Sequence, residues 1–203
     1  MLIFIAIRAG QKGPKTAAEG FAAARIGLLR ATPEASFDPA FAVPSPIELV
    51  LAPTAMRFDF PVGSEHGALS YQASAFQENG DLGEDFRGIG GLDSDLGVPV
   101  LAVADGMVLY AGTPSPSWGN VVMLLHETGE GEMVESVYGH LGAIRVPVGA
   151  QVRRGTTLGT IGSAGSAKHL HFELRRAPGL DPGTGYGGTA QGRLAGEKTL
   201  TKW

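Results

Sequence analysis

Two aspartates four residues apart raise the question of what this sequence can bind. Residues 81–85 read DLGED, so Asp81 and Asp85 flank a glycine within QENGDLGEDFRGIGG, a segment too rich in turn-forming residues to be a helix interior. Paired carboxylates can bind divalent cations or act as acid–base groups, but most acidic pairs of this spacing only face water. Whether these two bind anything depends on the residues that the fold places opposite them.

Histidines in a strand-like segment near the C-terminal end are the natural partners. In HLHFELR, residues 169–175, His169, His171 and Glu173 occupy alternate positions. Side chains of a strand alternate between its faces, so these three share one face and the apolar side chains share the other. Neutral imidazole binds zinc and titrates near neutral pH. The polar face is therefore suited to one metal ligand and one acid–base group. Glu173 is a candidate to orient an imidazole or, alternatively, a solvated carboxylate at the end of the strand.

A second strand-like segment, VESVYGHL, supplies another histidine. The same alternation predicts that Ser136, Tyr138 and His140 share one face, where Tyr138 is a candidate supporting hydrogen-bond donor and, equally, a packed core tyrosine. His126 begins HETGE, which lacks the second histidine of the helical HExxH zinc motif, so a hydrogen bond to backbone is at least as good an interpretation as a function. His66 stands in a loop-like segment, where no role is expected.

Composition restricts the kinds of partner. The chain of 203 residues has no cysteine, which excludes thiolate metal sites and thiol nucleophiles and leaves histidine, aspartate and glutamate as metal ligands. Its formal net charge of -4 argues against a nucleic-acid partner. The apolar opening MLIFIAI is far shorter than the roughly 20 residues of a membrane span, so no transmembrane segment is expected.

Short β-forming runs separated by glycine dominate the second half of the chain. The 31 glycines favour tight turns between antiparallel strands and predict an all-β sandwich or barrel at residues 56–177. Residues 1–55 are interpreted as an N-terminal extension or linker, or alternatively as a degraded leader. Within them, apolar spacing predicts a short helix at 16–31 and prolines predict an extended arm at 32–55. The Gly-rich residues 178–203 are expected to form an irregular tail.

Six motifs follow one another in order between about residues 58 and 176: LGED, DLGVPVLAVADGMVLYAG, WGNVVMLLH, YGHL, VPVGAQVRRGTTLGTIGSAG and HLHFELR. This ordered set resembles the zinc-dependent peptidases of family M23, the LytM/lysostaphin-like endopeptidases that cut peptide cross-links of bacterial peptidoglycan. The resemblance implies the antiparallel LytM-type fold (duplicated hybrid motif) and one zinc ion (Zn2+) per chain. It also implies peptidoglycan peptide stems or another peptide as substrate, and a location in the cell envelope, periplasmic or secreted.

Carried over residue by residue, the resemblance implies that His171 and Asp85 are metal ligands and that His140 and His169 are catalytic. The remaining ligand position lies four residues before Asp85, at Asp81. The most similar subgroup reads HLGED there, whereas this chain reads DLGED. Among the five site positions this is the one departure from the family pattern. The hypothesis is therefore a zinc endopeptidase with a variant first ligand.

The aspartate is expected to weaken the centre. Two imidazoles and one carboxylate leave bound zinc with a net positive charge of about one, whereas two carboxylates and one imidazole cancel the charge. A neutral centre is a weaker Lewis acid, so we expect weaker zinc binding, slower turnover or a preference for another divalent metal such as Mn²⁺. The alternative is a catalytically degenerate LytM-like module that binds cell wall or regulates other wall hydrolases. A lipoyl-type carrier is disfavoured, because the hairpin tip TIGSAGS lacks the lysine that such carriers need.

Overall fold

The computed structural model of the chain describes residues 43–63, 70–74, 78, 81–90, 92–164, 168–176, 178–183 and 193–194. The helix predicted at 16–31 and the loop histidine His66 lie outside the described residues. Within the described ranges, no helix has the length and apolar character that crossing a membrane requires.

A short helix, α1 (Pro46–Leu51), interrupts the segment that its prolines predict to be extended. Ser45 caps this helix: its hydroxyl accepts the Glu48 backbone N–H, and the Glu48 carboxylate accepts the Ser45 N–H at 2.8 Å. Pro46 stands at the start of the helix, where a missing N–H costs no hydrogen bond and the ring presets a helical φ. The prediction of an extended arm is wrong at these residues, because a capping box with proline at the first helical position starts a helix.

The remaining described elements are one 3₁₀ turn (Leu92–Asp95) and a set of strands. The strands are β1 (Thr54–Ala55), β2 (Ser70–Ser74), β3 (Glu84–Gly88), β4 (Pro99–Leu101), β5 (Gly106–Ser115), β6 (Gly119–Thr128), β7 (Met133–Ile144), β8 (Gln151–Val152), β9 (Thr157–Ile161), β10 (Leu170–Arg175) and β11 (Arg193–Leu194). Their order in the sheet is β2-β3-β10-β7-β6-β5-β8, with β1 beside β6, β11 beside β10, and β9 pairing with β4 and β7. Among these described pairings, only that of β1 with β6 is parallel. The all-β antiparallel fold predicted from the sequence is confirmed.

Strand β10 lies between β3 and β7 inside the sheet, and apolar clusters pack on both faces of the sheet at β6. On one face Val122 of β6 and Phe172 of β10 belong to the main hydrophobic core. On the opposite face Val121 and Met123 of β6 pack with Trp118 in a second cluster. Full burial of one such side chain stabilises a fold by roughly 1.5–3 kcal/mol. Packing on both sides therefore holds the central strands, and the side chains they carry, in fixed positions.

Part of the C-terminal segment also packs against the sheet. Strand β11 pairs with the end of β10, and Leu180 contacts an apolar cluster formed by β5 and β6. The described part of the tail that glycine content predicts to be irregular thus adds a short strand and an apolar contact to the domain.

A chain of polar groups runs through the core beside β6 and β7. His126 is 0% exposed, and its Nδ1 lies 2.7 Å from the Asp105 carbonyl oxygen. Because a carbonyl oxygen only accepts, Nδ1 carries the proton. The Nε2 of His126 lies 2.7 Å from Ser136 Oγ, and Ser136 Oγ lies 3.0 Å from Tyr138 Oη. The Tyr138 hydroxyl also accepts the Val103 N–H at 3.0 Å. The expected backbone hydrogen bond of His126 is confirmed, and the Tyr138 hydroxyl is occupied within the core.

This buried histidine makes stability depend on pH. Burial lowers the pKa of His126 from 6.5 to about 4, against the smaller opposing effect of its contact with Asp105. Between these two values the unfolded chain takes up a proton that the folded chain does not. We therefore expect the contribution of His126 to be complete above pH 6.5 and to fall away as the pH drops to about 4, by up to roughly 3 kcal/mol. Urea unfolding of the native chain and of His126→Gln across this interval measures the effect; equal pH dependence in both would contradict it.

Candidate metal centre

The loop that precedes β3 makes a sharp turn and places its first carboxylate in the interior. Asp81 is 2% exposed, its backbone N–H donates to the Glu78 carbonyl at 3.0 Å, and its Oδ1 accepts the Gly83 N–H at 2.9 Å. This last bond is an Asx turn, for which aspartate is well suited. A Cβ at Gly83 would lie 2.5 Å from the Phe172 carbonyl oxygen and 2.8 Å from His171 Nε2. Glycine at this position therefore allows the loop to approach β10 closely.

Strand β10 turns its histidines toward that loop. The antiparallel pairing of β10 with β3 sets His171 directly opposite Asp85, and His169 contacts the same carboxylate. The main hydrophobic core, on the other face of β10, contains Leu170, Phe172 and Leu174. The alternation predicted for HLHFELR is confirmed, because the sheet buries one face in apolar packing and leaves the other to polar side chains.

Asp81, Asp85 and His171 converge on one point. His171 Nδ1 lies 3.3 Å from Asp85 Oδ1 and 3.5 Å from Asp81 Oδ1, and one ligand atom from each residue lies within 4.8 Å of the others. Two ligand atoms bound to tetrahedral zinc at ~2.0–2.2 Å are separated by about 3.4 Å, which is longer than the ~2.9 Å of an ordinary N–H···O hydrogen bond. The distances from His171 Nδ1 to the two carboxylates therefore fit ligands around one small divalent cation, and the distance to Asp85 also fits a long hydrogen bond.

The charges at this point also favour a cation. Burial by itself raises the pKa of Asp85, but contacts with His169 and His171 more than offset burial and hold that pKa well below its usual range. For His171 burial lowers the pKa, whereas the neighbouring carboxylates of Asp85, Glu173 and Asp81 together raise it to about 9. The carboxylates of Asp85, Glu173 and Asp81 thus favour a positive charge at this point. Two carboxylates and one imidazole, all buried, are a donor set that fits a divalent cation.

His140 reaches the same site through a backbone conformation that is rare outside glycine. Its φ is 58°, in the left-handed region, which costs of order 1–3 kcal/mol for a side chain of this kind. Its backbone N–H donates to the Trp118 carbonyl at 2.9 Å, and its Nδ1 lies 3.2 Å from the same oxygen. Because that oxygen can only accept, Nδ1 carries the proton and Nε2 keeps its lone pair. Burial, together with the nearby His171 and His169, lowers the pKa of His140 to about 4.

The ring of His169 completes the cluster. Its centroid lies 5.1 Å from that of His140 in an edge-on arrangement, and its Nε2 lies 3.2 Å from Asp85 Oδ1. The contact with Asp85 has the distance of an ion pair but not the angle of a hydrogen bond, so among the described residues neither buried ring nitrogen of His169 has a hydrogen-bond partner. Buried polar atoms are seldom left in that state. This position is therefore suited to receive a polar group from a bound molecule.

The two supporting residues suggested by the sequence lie in different places. Glu173 is at the site, with its Oε1 3.1 Å from His171 Nε2. Tyr138 is in the core, where its ring packs 5.4 Å from that of Phe172. The prediction that Tyr138 and His140 share a face is wrong, because the left-handed φ of His140 breaks the alternation and turns its ring to within 5.8 Å of the His171 ring.

Two further side chains at the site are absent from the residues singled out in the sequence. The Trp118 ring packs edge-on at 5.1 Å from the His171 ring, and Arg175 Nε donates to Glu173 Oε2 at 2.9 Å. Arg175 could have been found, because the alternation of β10 puts it on the same face as His171. No sequence pattern places Trp118 at the site, because it belongs to a turn that is far from β10 in the sequence and meets His171 only in the fold.

Comparison with known proteins identifies the kind of domain. The family model described as "Peptidase family M23" matches residues 88–182, which include the three histidines of the site but neither Asp81 nor Asp85.

Three named relatives share the same region. The chain is 42% identical over 84 residues to the cell division protein DipM of Caulobacter vibrioides (40% of this chain, 13% of that protein). It is 33% identical over 99 residues to the murein hydrolase activator NlpD of Escherichia coli (48% and 24%). It is 35% identical over 80 residues to the lipoprotein NlpD of Yersinia enterocolitica (39% and 78%). The chain thus spans a small part of the length of the first two relatives.

Proposed function

Because this chain belongs to peptidase family M23, we propose that it works at the bacterial cell wall, where it binds peptide stems of peptidoglycan and regulates wall hydrolases rather than cutting the wall efficiently itself. The names of its relatives support this function: one is a murein hydrolase activator and another a cell division protein. The relative named as a lipoprotein supports a location in the cell envelope.

The observation that carries the proposal is the buried carboxylate of Asp81 at the first ligand position. Asp81 and Asp85 together bring two negative charges to His171, so a divalent cation held there would be neutralised. Such a cation supplies polarisation of a peptide carbonyl and of water, and a neutral centre polarises both weakly. The chain thus keeps a buried cation site beside a histidine cluster that can bind a peptide, while the driving force for hydrolysis is reduced.

A second candidate function is a metal-dependent endopeptidase of low turnover. The geometry of the two remaining histidines favours it. The Trp118 carbonyl orients the His140 ring so that Nε2, which lacks a proton, can accept the proton of an attacking water. His169, whose buried nitrogens have no hydrogen-bond partner among the described residues, can donate a hydrogen bond to the oxygen of the scissile peptide. In this assignment His140 is the base and His169 stabilises the oxyanion.

Purified peptidoglycan distinguishes the two functions. We expect the native chain to sediment with peptidoglycan sacculi and to release few new amino groups from them, with or without added zinc. We also expect it to increase the rate of a purified murein hydrolase of low basal activity, because regulation requires binding but not cleavage.

The exposed Arg176, 60% accessible in its side chain, provides a control: Arg176→Gln should behave like the native chain. Rapid release of amino groups by the native chain alone, with one zinc bound, would replace the regulatory function by the peptidase. Failure to sediment with sacculi would contradict both.

A further inference from the structure

A buried series of charged groups leads away from the metal ligand to the C-terminal segment. His171 Nε2 lies 3.1 Å from Glu173 Oε1, and Glu173 Oε2 accepts from Arg175 Nε at 2.9 Å. Arg175 Nη1 then donates to Glu135 Oε1 on the neighbouring strand at 3.2 Å. Glu135 Oε2 accepts the Gly179 N–H at 2.9 Å. Three side chains, those of Glu173, Arg175 and Glu135, thus link His171 to residue 179 without a break.

The guanidinium of Arg175 is the centre of this series. It is 4% exposed and lies between two carboxylates, Glu173 and Glu135, that are 1% and 0% exposed. Its two terminal nitrogens also donate to backbone oxygens of the C-terminal segment: Nη1 to Asp181 at 3.0 Å and Nη2 to Pro182 at 2.5 Å. The planar, five-donor geometry of arginine can satisfy all of these acceptors together, and the single ammonium of lysine cannot.

The same short segment has a second attachment next to the metal ligand. Trp118 Nε1 donates to the Gly183 carbonyl at 2.7 Å, and the indole ring packs edge-on against the His171 imidazole. Residues 179–183, the anchor segment, are therefore held by Glu135, Arg175 and Trp118. Trp118 contacts His171 directly, and Arg175 reaches it through Glu173.

We propose that Arg175 is a positioning residue: through Glu173 it orients His171 for the cation, and it couples cation binding to the attachment of the anchor segment. The inference rests on the metal site of the proposed function but needs no catalytic activity. A hydrogen bond from Nε2–H to Glu173 keeps Nδ1 directed at Asp81 and Asp85. Because coupling between two sites is reciprocal, zinc binding should also stabilise the attached state of the anchor segment.

The test compares zinc affinity and amide hydrogen exchange in the native chain, Arg175→Lys and the matched control Arg176→Gln. Arg176 is the next residue, but its side chain is 60% exposed and pairs with Glu132 at the surface. We expect Arg175→Lys to bind zinc on the order of 10-fold more weakly, as loss of a group that orients a ligand usually does. Zinc should slow exchange at the amides of Gly179 and Gly183 in the native chain and in Arg176→Gln, but not in Arg175→Lys.

Three results would overturn the proposal. The first is native zinc affinity in Arg175→Lys, and the second is exchange at Gly179 and Gly183 in the native chain that does not respond to zinc. The third is absence of zinc binding by the native chain. Melting of the zinc-free proteins measures any general loss of stability, and Arg175→Lys keeps the buried positive charge so that the fold is preserved. No peptidoglycan is involved, so failure here is distinct from failure of the regulatory function.

Discussion

An Asp81→His variant is expected to bind zinc at least about tenfold more tightly than the native chain and to cut purified peptidoglycan faster. Replacing one of the two buried carboxylates by an imidazole leaves the cation with a net positive charge of about one and makes it a stronger Lewis acid. The replacement also removes the acceptor of the Gly83 N–H, which should cost about 1 kcal/mol of folding stability. The gain in affinity should therefore accompany a small loss in melting temperature.

Zinc competition against a chromophoric chelator measures the affinity of Asp81→His, and release of new amino groups from sacculi measures cleavage. Asp81→Asn is the matched control, because it keeps the size of the side chain and an acceptor for Gly83 but removes the charge. We expect Asp81→Asn to bind zinc more weakly than the native chain. If Asp81→His gained neither affinity nor cleavage, the charge at position 81 would not be what limits this site.

Gly83→Ala should destabilise the domain and remove cation binding. The added methyl would lie 2.5 Å from the Phe172 carbonyl oxygen, 2.8 Å from Glu173 Cγ and 2.8 Å from His171 Nε2. Backbone of a central strand cannot yield as the end of a flexible side chain can, so β3 must move away from β10. That movement separates Asp85 from His171. Overpacking of this kind costs about 1–3 kcal/mol, and sometimes more.

Urea unfolding and zinc titration of Gly83→Ala test this expectation. Gly129→Ala is the matched control, because a Cβ at Gly129 meets no atom within 4 Å. It should leave both measurements unchanged. Native zinc affinity in Gly83→Ala would show that the close approach of the loop to β10 does not hold the ligands together.

Much of the site could be predicted because strand geometry is local. In HLHFELR a period of two is enough to separate His169 and His171 from the core side chains, whatever the rest of the fold. The acidic partner could be inferred only through resemblance to known peptidases, since nothing local joins residue 85 to residue 171. The antiparallel register that sets Asp85 opposite His171 supplies that link.

Side-chain alternation does not hold where the backbone leaves its regular strand conformation. His140 has a left-handed φ that reverses the face it should share with Tyr138, and Tyr138 bonds within the core instead. Nothing in YGHL indicates this, because the conformation is held by a hydrogen bond from the His140 N–H to the carbonyl of Trp118, more than twenty residues earlier. The helix at Pro46–Leu51 departs from expectation for another reason: Ser45 and Glu48 supply a capping signal, whereas the prolines around them predict an extended chain.

The sequence by itself determined which side chains this protein can bring to a cation, their alternation along β10, and the aspartate at the position where the resemblance to family M23 implies a histidine. Tertiary structure decided that Asp81 reaches His171 at all, which His140 nitrogen keeps its lone pair, and that Arg175 and Glu173 connect His171 to residues 179–183. The reason is physical: alternation and side-chain chemistry are properties of neighbouring residues, whereas distances between ligands, tautomers and buried ion pairs are set by strands that meet only after the chain has folded.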